Sequence, residues 1–173
     1  MSIKDADKLQ IIIFKLDNKL YAVKIGQIRE ITRVGEISPV PNSSDYILGV
    51  TNRRGQVTTV IDLRKRLYVS SKEFDKHTRM MIIETKGTAK GMIVDAVAEV
   101  TMLPKSDIEE MPEIAKANDG NSAYIKGIAK KDNHLIILVD LKALSAGSDD
   151  VELEANPEAL ASASTLQAEA AKN

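Results

Sequence analysis

Short apolar, β-branched runs punctuate residues 9–145: Leu9 to Leu16, Leu20 to Ile25, Gln56 to Leu63, Met80 to Thr85, Lys90 to Val94 and Leu135 to Leu141. Runs of this length and composition predict strands. Polar dipeptides separate the runs: Asp17-Asn18, Arg54-Gly55, Lys86-Gly87 and Asp132-Asn133. Each contains at least one Asp, Asn or Gly, the residues that tolerate the positive φ of a two-residue hairpin turn, so each predicts a tight turn. Many short strands joined in this way predict a mainly β fold, as barrels or a sandwich, and not a βαβ arrangement.

The chain also repeats itself. Tyr46-Ile47-Leu48-Gly49-Val50 recurs as Tyr124-Ile125-Lys126-Gly127-Ile128, 78 residues on, and the same offset carries Val60-Ile61-Asp62-Leu63-Arg64 onto Leu138-Val139-Asp140-Leu141-Lys142. A second offset of 69 carries Ile13-Phe14 onto Ile82-Ile83 and Ile28-Arg29-Glu30-Ile31-Thr32 onto Val97-Ala98-Glu99-Val100-Thr101. The order is A, B, A′, B′. This pattern predicts an N-terminal arm over 1–8 and two similar β-subdomains, roughly 9–72 and 73–145, with a strand exchange between them left open. Residues 146–173 form an acidic, alanine-rich tail, read as disordered or helical. Within it, residues 149–173 hold six acids against the single base Lys172, while the preceding 148 residues carry 23 bases and 19 acids.

Composition narrows the chemistry. The 173 residues are 43% hydrophobic and 28% charged, enough for one domain or two small subdomains. The net charge of −1 argues against a dedicated duplex binder, which needs a basic surplus to displace counterions. There is no cysteine, so no disulfide, thiol nucleophile or Cys-ligated metal, and only His77 and His134 supply imidazole. The start of the sequence shows no signal-peptide pattern, and no apolar run approaches the ~20 residues of a membrane span. The expectation is a soluble, intracellular protein without direct membrane insertion.

Each candidate site has a plain structural reading beside it. Asp62 and Asp140 each end an apolar strand before Leu and a basic residue, where a helix N-cap belongs. His77 and His134 sit in polar surroundings and read as surface residues. No Walker loop or GxGxxG motif is present. Ile28, Ile31 and Val34 read as one apolar strand face, and Met92-Ile93-Val94, then Val97 and Val100, as mostly core, with a groove between the subdomains for a partner helix as the alternative. Arg53-Arg54 aligns with Lys131-Asp132 in the second copy, so the repeated architecture does not itself require Arg54. Arg64-Lys65-Arg66 adds positive charge. A small β-barrel nucleic-acid-binding protein using Arg53, Arg54 and Arg64 to Arg66 is therefore the rival reading, although two Phe, four Tyr and no Trp give it few stacking platforms.

Tyr46-Ile47-Leu48-Gly49-Val50-Thr51-Asn52-Arg53-Arg54-Gly55, followed by Val60-Ile61-Asp62-Leu63-Arg64, resembles the signature of CheW-type chemotaxis coupling proteins. Ile28-Arg29-Glu30-Ile31, Gly91-Met92-Ile93-Val94-Asp95-Ala96-Val97 and Tyr124-Ile125-Lys126-Gly127 match that family in order. The resemblance covers about residues 9–145. It implies two small five-stranded SH3-like β-barrel subdomains packed on an apolar interface, with short helices, no catalysis and no cofactor. The partners it implies are the regulatory domain of a CheA-type histidine kinase and methyl-accepting chemotaxis receptors, with no nucleic acid. It places Ile28, Glu30, Gly49, Asn52, Arg54, Gly55 and Val97 in partner contact, chiefly with receptors. Kinase contact falls to barrel ends, such as the hairpins around Arg54 and Asp132. The implied location is cytoplasmic, recruited to membrane receptor arrays through partners. One position departs from the family pattern: Arg53 stands where Leu is usual.

Overall fold

The computed structural model describes residues 7–67, 69–70, 72–110 and 124–146. Nearly all of the expected arm and tail lies outside the described residues. Among the described residues eleven strands carry the fold: β1 (Lys8–Leu16), β2 (Lys19–Lys24), β3 (Glu30–Thr32), β4 (Ile47–Arg53), β5 (Gln56–Asp62), β6 (Arg79–Thr85), β7 (Thr88–Val94), β8 (Ala96–Pro104), β9 (Ile108–Glu109), β10 (Ile125–Lys131) and β11 (His134–Val139). Short helices α1 (Leu63–Arg66) and α2 (Leu141–Ser145) follow β5 and β11.

All four expected hairpin turns form, between the pairs Leu16–Lys19, Arg53–Gln56, Thr85–Thr88 and Lys131–His134. Strands β4, β8 and β10 were not among the apolar runs. Gly49 and Gly127 interrupt two of them, and a glycine weakens a strand reading. Here both glycines sit at β-bulges where another backbone comes close. A Cβ on Gly49 would lie 2.1 Å from the Ser38 carbonyl oxygen, and one on Gly127 would lie 2.6 Å from Ile108 Cγ2.

The strands form two sheets, ordered β8-β1-β2-β11-β10-β9 and β3-β6-β7-β5-β4. Each closes on itself. In the first, β8 continues through a 3₁₀ turn into β9, which pairs with β10 at the other edge, so β8 and β9 act as one bent strand. In the second, the chain beyond β3 reaches back to β4, where Ser38 and Val50 exchange both backbone hydrogen bonds at 2.8 and 2.9 Å. The result is two small barrels of five strands, a mainly β fold as expected.

The boundary between the sheets is not the one expected at residues 72 and 73. One barrel is continuous, β3 to β7. The other joins the β1–β2 hairpin to β8 through β11. The cause is a parallel pairing: β2 lies beside β11 and β5 beside β7. The β1–β2 hairpin thus completes a barrel with β10 and β11 of the second repeat, and its counterpart β6–β7 completes one with β4 and β5 of the first.

Strand register bears out both repeat offsets. Ile13 faces Ala22 and Ile82 faces Gly91; Gly49 faces Val60 and Gly127 faces Leu138. The N-cap reading of Asp62 and Asp140 also holds: Asp62 accepts from the Arg64 amide at 3.0 Å and Asp140 from that of Ala143 at 3.1 Å.

Three apolar clusters result. Val60, Met80, Ile82 and Ile93 fill the continuous barrel, and Ile11, Ile13, Ala22, Ile136 and Leu138 fill the other. The largest cluster lies between the barrels. Ile61 and Val139, Leu63 and Leu141, Met81 and Ile12, Ile83 and Phe14, and Met92 and Val23 are its repeat-related pairs. The same patch from each barrel builds this interface, as in a two-fold dimer made within one chain. Strands such as β1 and β6 are buried on both faces, which is why they read as unbroken apolar runs.

Candidate functional site

The tip of the β4–β5 hairpin gathers four of the seven expected site residues. Its two-residue turn places Arg54 at φ 90° and Gly55 at φ 84°, both left-handed. The Asn52 side-chain oxygen accepts the Gly55 amide at 3.1 Å and fixes the turn from within. Glu30 lies on β3, and the chain just beyond β3 closes the barrel against β4 through Ser38 and Val50. Glu30 Oε1 lies 2.6 Å from Arg53 Nη2 and 3.7 Å from Arg54 Nη2. The Arg53 hydrogen bond, with the positive charges of Arg53, Arg54 and Arg29, holds the Glu30 carboxyl below the usual carboxylate range despite some desolvation. Arg29 in turn pairs with Glu84.

The remaining three residues are placed differently. Ile28 and Val97 are counterparts at offset 69; both are half-buried and packed against the inter-barrel core, one from each barrel. Gly49 is buried in the β4 bulge under Ser38, a place that barrel closure explains. The expected single apolar face of Ile28, Ile31 and Val34 divides three ways. Ile28 joins the inter-barrel core, Val34 packs on the core of its own barrel, and Ile31 is 36% exposed. Its counterpart Val100, on β8, is 51% exposed. Both are expected in the core, the default for apolar strand residues, and both are exposed instead.

In the second basic segment Lys65 is exposed, while both arginines are engaged within the protein. Arg64 is buried and pairs twice with Asp95, Nε to Oδ1 at 2.6 Å and Nη2 to Oδ2. Asp95 also accepts the Asp17 amide at 2.6 Å, so it joins the helix of one barrel to a hairpin turn of the other. Arg66 lies over two tyrosine rings, 5.1 Å from the Tyr46 centroid and 4.5 Å from that of Tyr124, and donates to the Tyr124 hydroxyl. Its Nε donates to the Leu144 carbonyl at 3.1 Å. These contacts leave the nucleic-acid alternative without support: Arg53, Arg64 and Arg66 are engaged by Glu30, Asp95 and the tyrosines, and of its five cations only Arg54 and Lys65 are exposed. His77 and His134 are exposed. Among the described residues no cluster of metal-ligating side chains occurs, and no helix is long and apolar enough to cross a membrane.

The profile of the CheW-like domain matches residues 10–148. The chain belongs to the CheW-like domain family. Over 143 residues it is 37% identical to the chemotaxis protein CheW of Bacillus subtilis, covering 82% of this chain and 88% of that one. It is 29% identical over 140 residues to CheW of Klebsiella aerogenes, covering 81% and 83% of the two chains. The crystal structure of the scaffolding protein TtCheW from Thermoanaerobacter tengcongensis superposes with a TM-score of 0.71 at 34% identity, covering 79% of this chain and 86% of that one. Membership makes the chain a non-catalytic chemotaxis scaffold or adaptor.

Proposed function

We propose that this chain couples the cytoplasmic tips of methyl-accepting chemotaxis receptors to the regulatory domain of a CheA-type histidine kinase. The observation that carries the reading is the CheW-like match over residues 10–148, which includes the whole charged tip at Glu30, Asn52, Arg54 and Gly55. In this reading the tip sets the register of a receptor segment, and the apolar side chains of Ile28, Ile31, Val97 and Val100 beside the inter-barrel core supply contact area. Gly49 serves the site by holding β4 against Ser38. The adaptor works in the cytoplasm and joins membrane receptor arrays through its partners.

Affinity measurements with a receptor cytoplasmic fragment and, separately, with the kinase regulatory domain test this. Both should bind the full chain, and both should co-purify with it from the native host. Failure of either fragment to bind would remove the coupling role.

A further inference from the structure

Two arginines share one carboxylate oxygen at the β4–β5 tip, and their surroundings differ. The Arg53 side chain is 16% exposed and the Arg54 side chain 80%. Arg53 Nη1 is shut off from solvent with no hydrogen-bond partner among the described residues. A guanidinium already short of one partner loses much more by giving up its carboxylate than a solvated one does. Distance agrees with burial: Glu30 Oε1 is at hydrogen-bond length from Arg53, 2.6 Å, and only within ion-pair range of Arg54, 3.7 Å. Nearby charge is committed elsewhere, since Arg29 is paired with Glu84. Of the three groups at the tip, Arg54 is the surplus cation. The left-handed backbone of the turn and the Asn52–Gly55 hydrogen bond hold its Cα at the outermost point of the hairpin.

The geometry points to Arg53 as the residue that sets partner specificity here: by holding Glu30, it leaves the Arg54 guanidinium to grip a carboxylate side chain on the receptor segment. This inference rests on the adaptor reading above and adds the chemistry of the receptor residue, an Asp or Glu. Without Arg53, Glu30 and Arg54 would neutralise each other, and the tip would lose its preference for an acidic partner. Arg53 is a positioning residue, since it acts on the partner through Glu30 and Arg54.

Two readouts on the full chain test it, using R54A, R53L and the double variant R53L/E30Q. The first is the acid titration of the Glu30 carboxyl followed by 13C NMR, which needs no partner. R54A should leave its midpoint nearly where it was, and R53L should move it part of the way up, because a solvated pair with Arg54 replaces the half-buried hydrogen bond from Arg53. A shift in R54A as large as that in R53L would overturn the assignment. The second readout is affinity for a receptor cytoplasmic fragment. R53L should bind about two- to five-fold more weakly, the factor that one solvated ion pair is worth when Glu30 captures Arg54. Adding E30Q should restore the loss. Unchanged binding by R53L, or no recovery in the double variant, would overturn the proposal. A fragment that binds none of the proteins defeats the adaptor reading, and the titration still decides which arginine holds Glu30.

Discussion

Arg66 donates its Nε proton to the carbonyl oxygen of Leu144 at 3.1 Å, and Leu144 is the counterpart of Arg66 in the internal repeat, 78 positions on. Under the two-fold relation between the barrels, counterparts can touch only near the axis. The guanidinium there lies over Tyr46 and Tyr124, themselves counterparts. One arginine thus occupies a place where strict symmetry would require two.

Removing that side chain should loosen the junction of the barrels. Arg66→Ala loses two charged hydrogen bonds and two ring contacts, an expected cost of about 2 kcal/mol or more. In a chain of this size that lowers the thermal midpoint by roughly 4–8 °C. Arg66→Lys should recover only part of it, because an ammonium does not stack between rings. A variant that melts with the wild type would mean the stack contributes nothing.

The inter-barrel core should behave as a true core. Ile61 and its counterpart Val139 are both buried in it. Ile61→Ala should cost about 2–5 kcal/mol through lost burial and the cavity left behind. Chemical denaturation gives the value directly, and an unchanged midpoint would contradict the placement of Ile61.

Gly49 and Gly55 both have positive φ, yet substitution should separate them. Gly55→Ala meets no atom within 4 Å and carries only the backbone cost of about 1–2 kcal/mol. Gly49→Ala drives a methyl into the Ser38 carbonyl and should break the closure of the barrel, with a much larger loss. Equal thermal midpoints for the two variants would refute this account of β4.

Arg54→Asp reverses the charge at the hairpin tip. The second repeat carries Asp132 at the same turn position with φ 50°, and aspartate tolerates that conformation, so the fold should hold its midpoint. Losing the contact and adding repulsion should weaken receptor binding by about 2 kcal/mol or more. Asp132→Arg should leave receptor binding intact. The pair fails as a prediction if Arg54→Asp keeps full affinity for both receptor and kinase fragments.

Acid should act through Asp95. Burial pushes its carboxyl up, but the Arg64 hydrogen bonds, the Asp17 amide and the Arg64 charge outweigh this and hold it below the usual range. A carboxyl depressed by folding stabilises the native state above its unfolded pKa, near 4, and loses that contribution as pH falls through the folded value. Asp95→Ala should therefore cost about 3–5 kcal/mol at neutral pH by stranding buried Arg64. The gap to the wild type should narrow below about pH 4. Asp62 acts in the opposite sense, since burial raises its carboxyl, so the difference between variant and wild type isolates Asp95. A gap that stays constant through the acid range would rule out this role.

Much of the fold was legible because strand periodicity, turn chemistry and repeat offsets are local signals. Which hairpin joins which barrel was not. Offsets of 69 and 78 relate the same residues whether the β1–β2 hairpin packs on its own repeat or on the other, so exchange leaves no trace in the alignment. Tertiary pairing of β2 with β11 decides it. At the site, Glu30, Asn52, Arg54 and Gly55 were found through family resemblance, and the structure brings them together. The burial of Arg64 and half-burial of Arg53 and Arg66 ran against the default that arginines are solvated. Only the positions of Glu30, Asp95 and the two tyrosines in space show where those charges go.

Because one barrel takes strands from both ends of the sequence, the order of synthesis matters. Residues 30–94 hold every strand of the continuous barrel and can close as soon as they leave the ribosome. The β1–β2 hairpin emerges earlier and must wait for β8 to β11, with Ile11, Ile12, Ile13 and Phe14 open to water meanwhile. A circular permutant opened between β2 and β3, with the old ends joined by a linker, would make both barrels contiguous and lower the contact order. It should refold faster than the natural order; an equal or slower rate in stopped-flow refolding would show that the waiting hairpin does not limit folding.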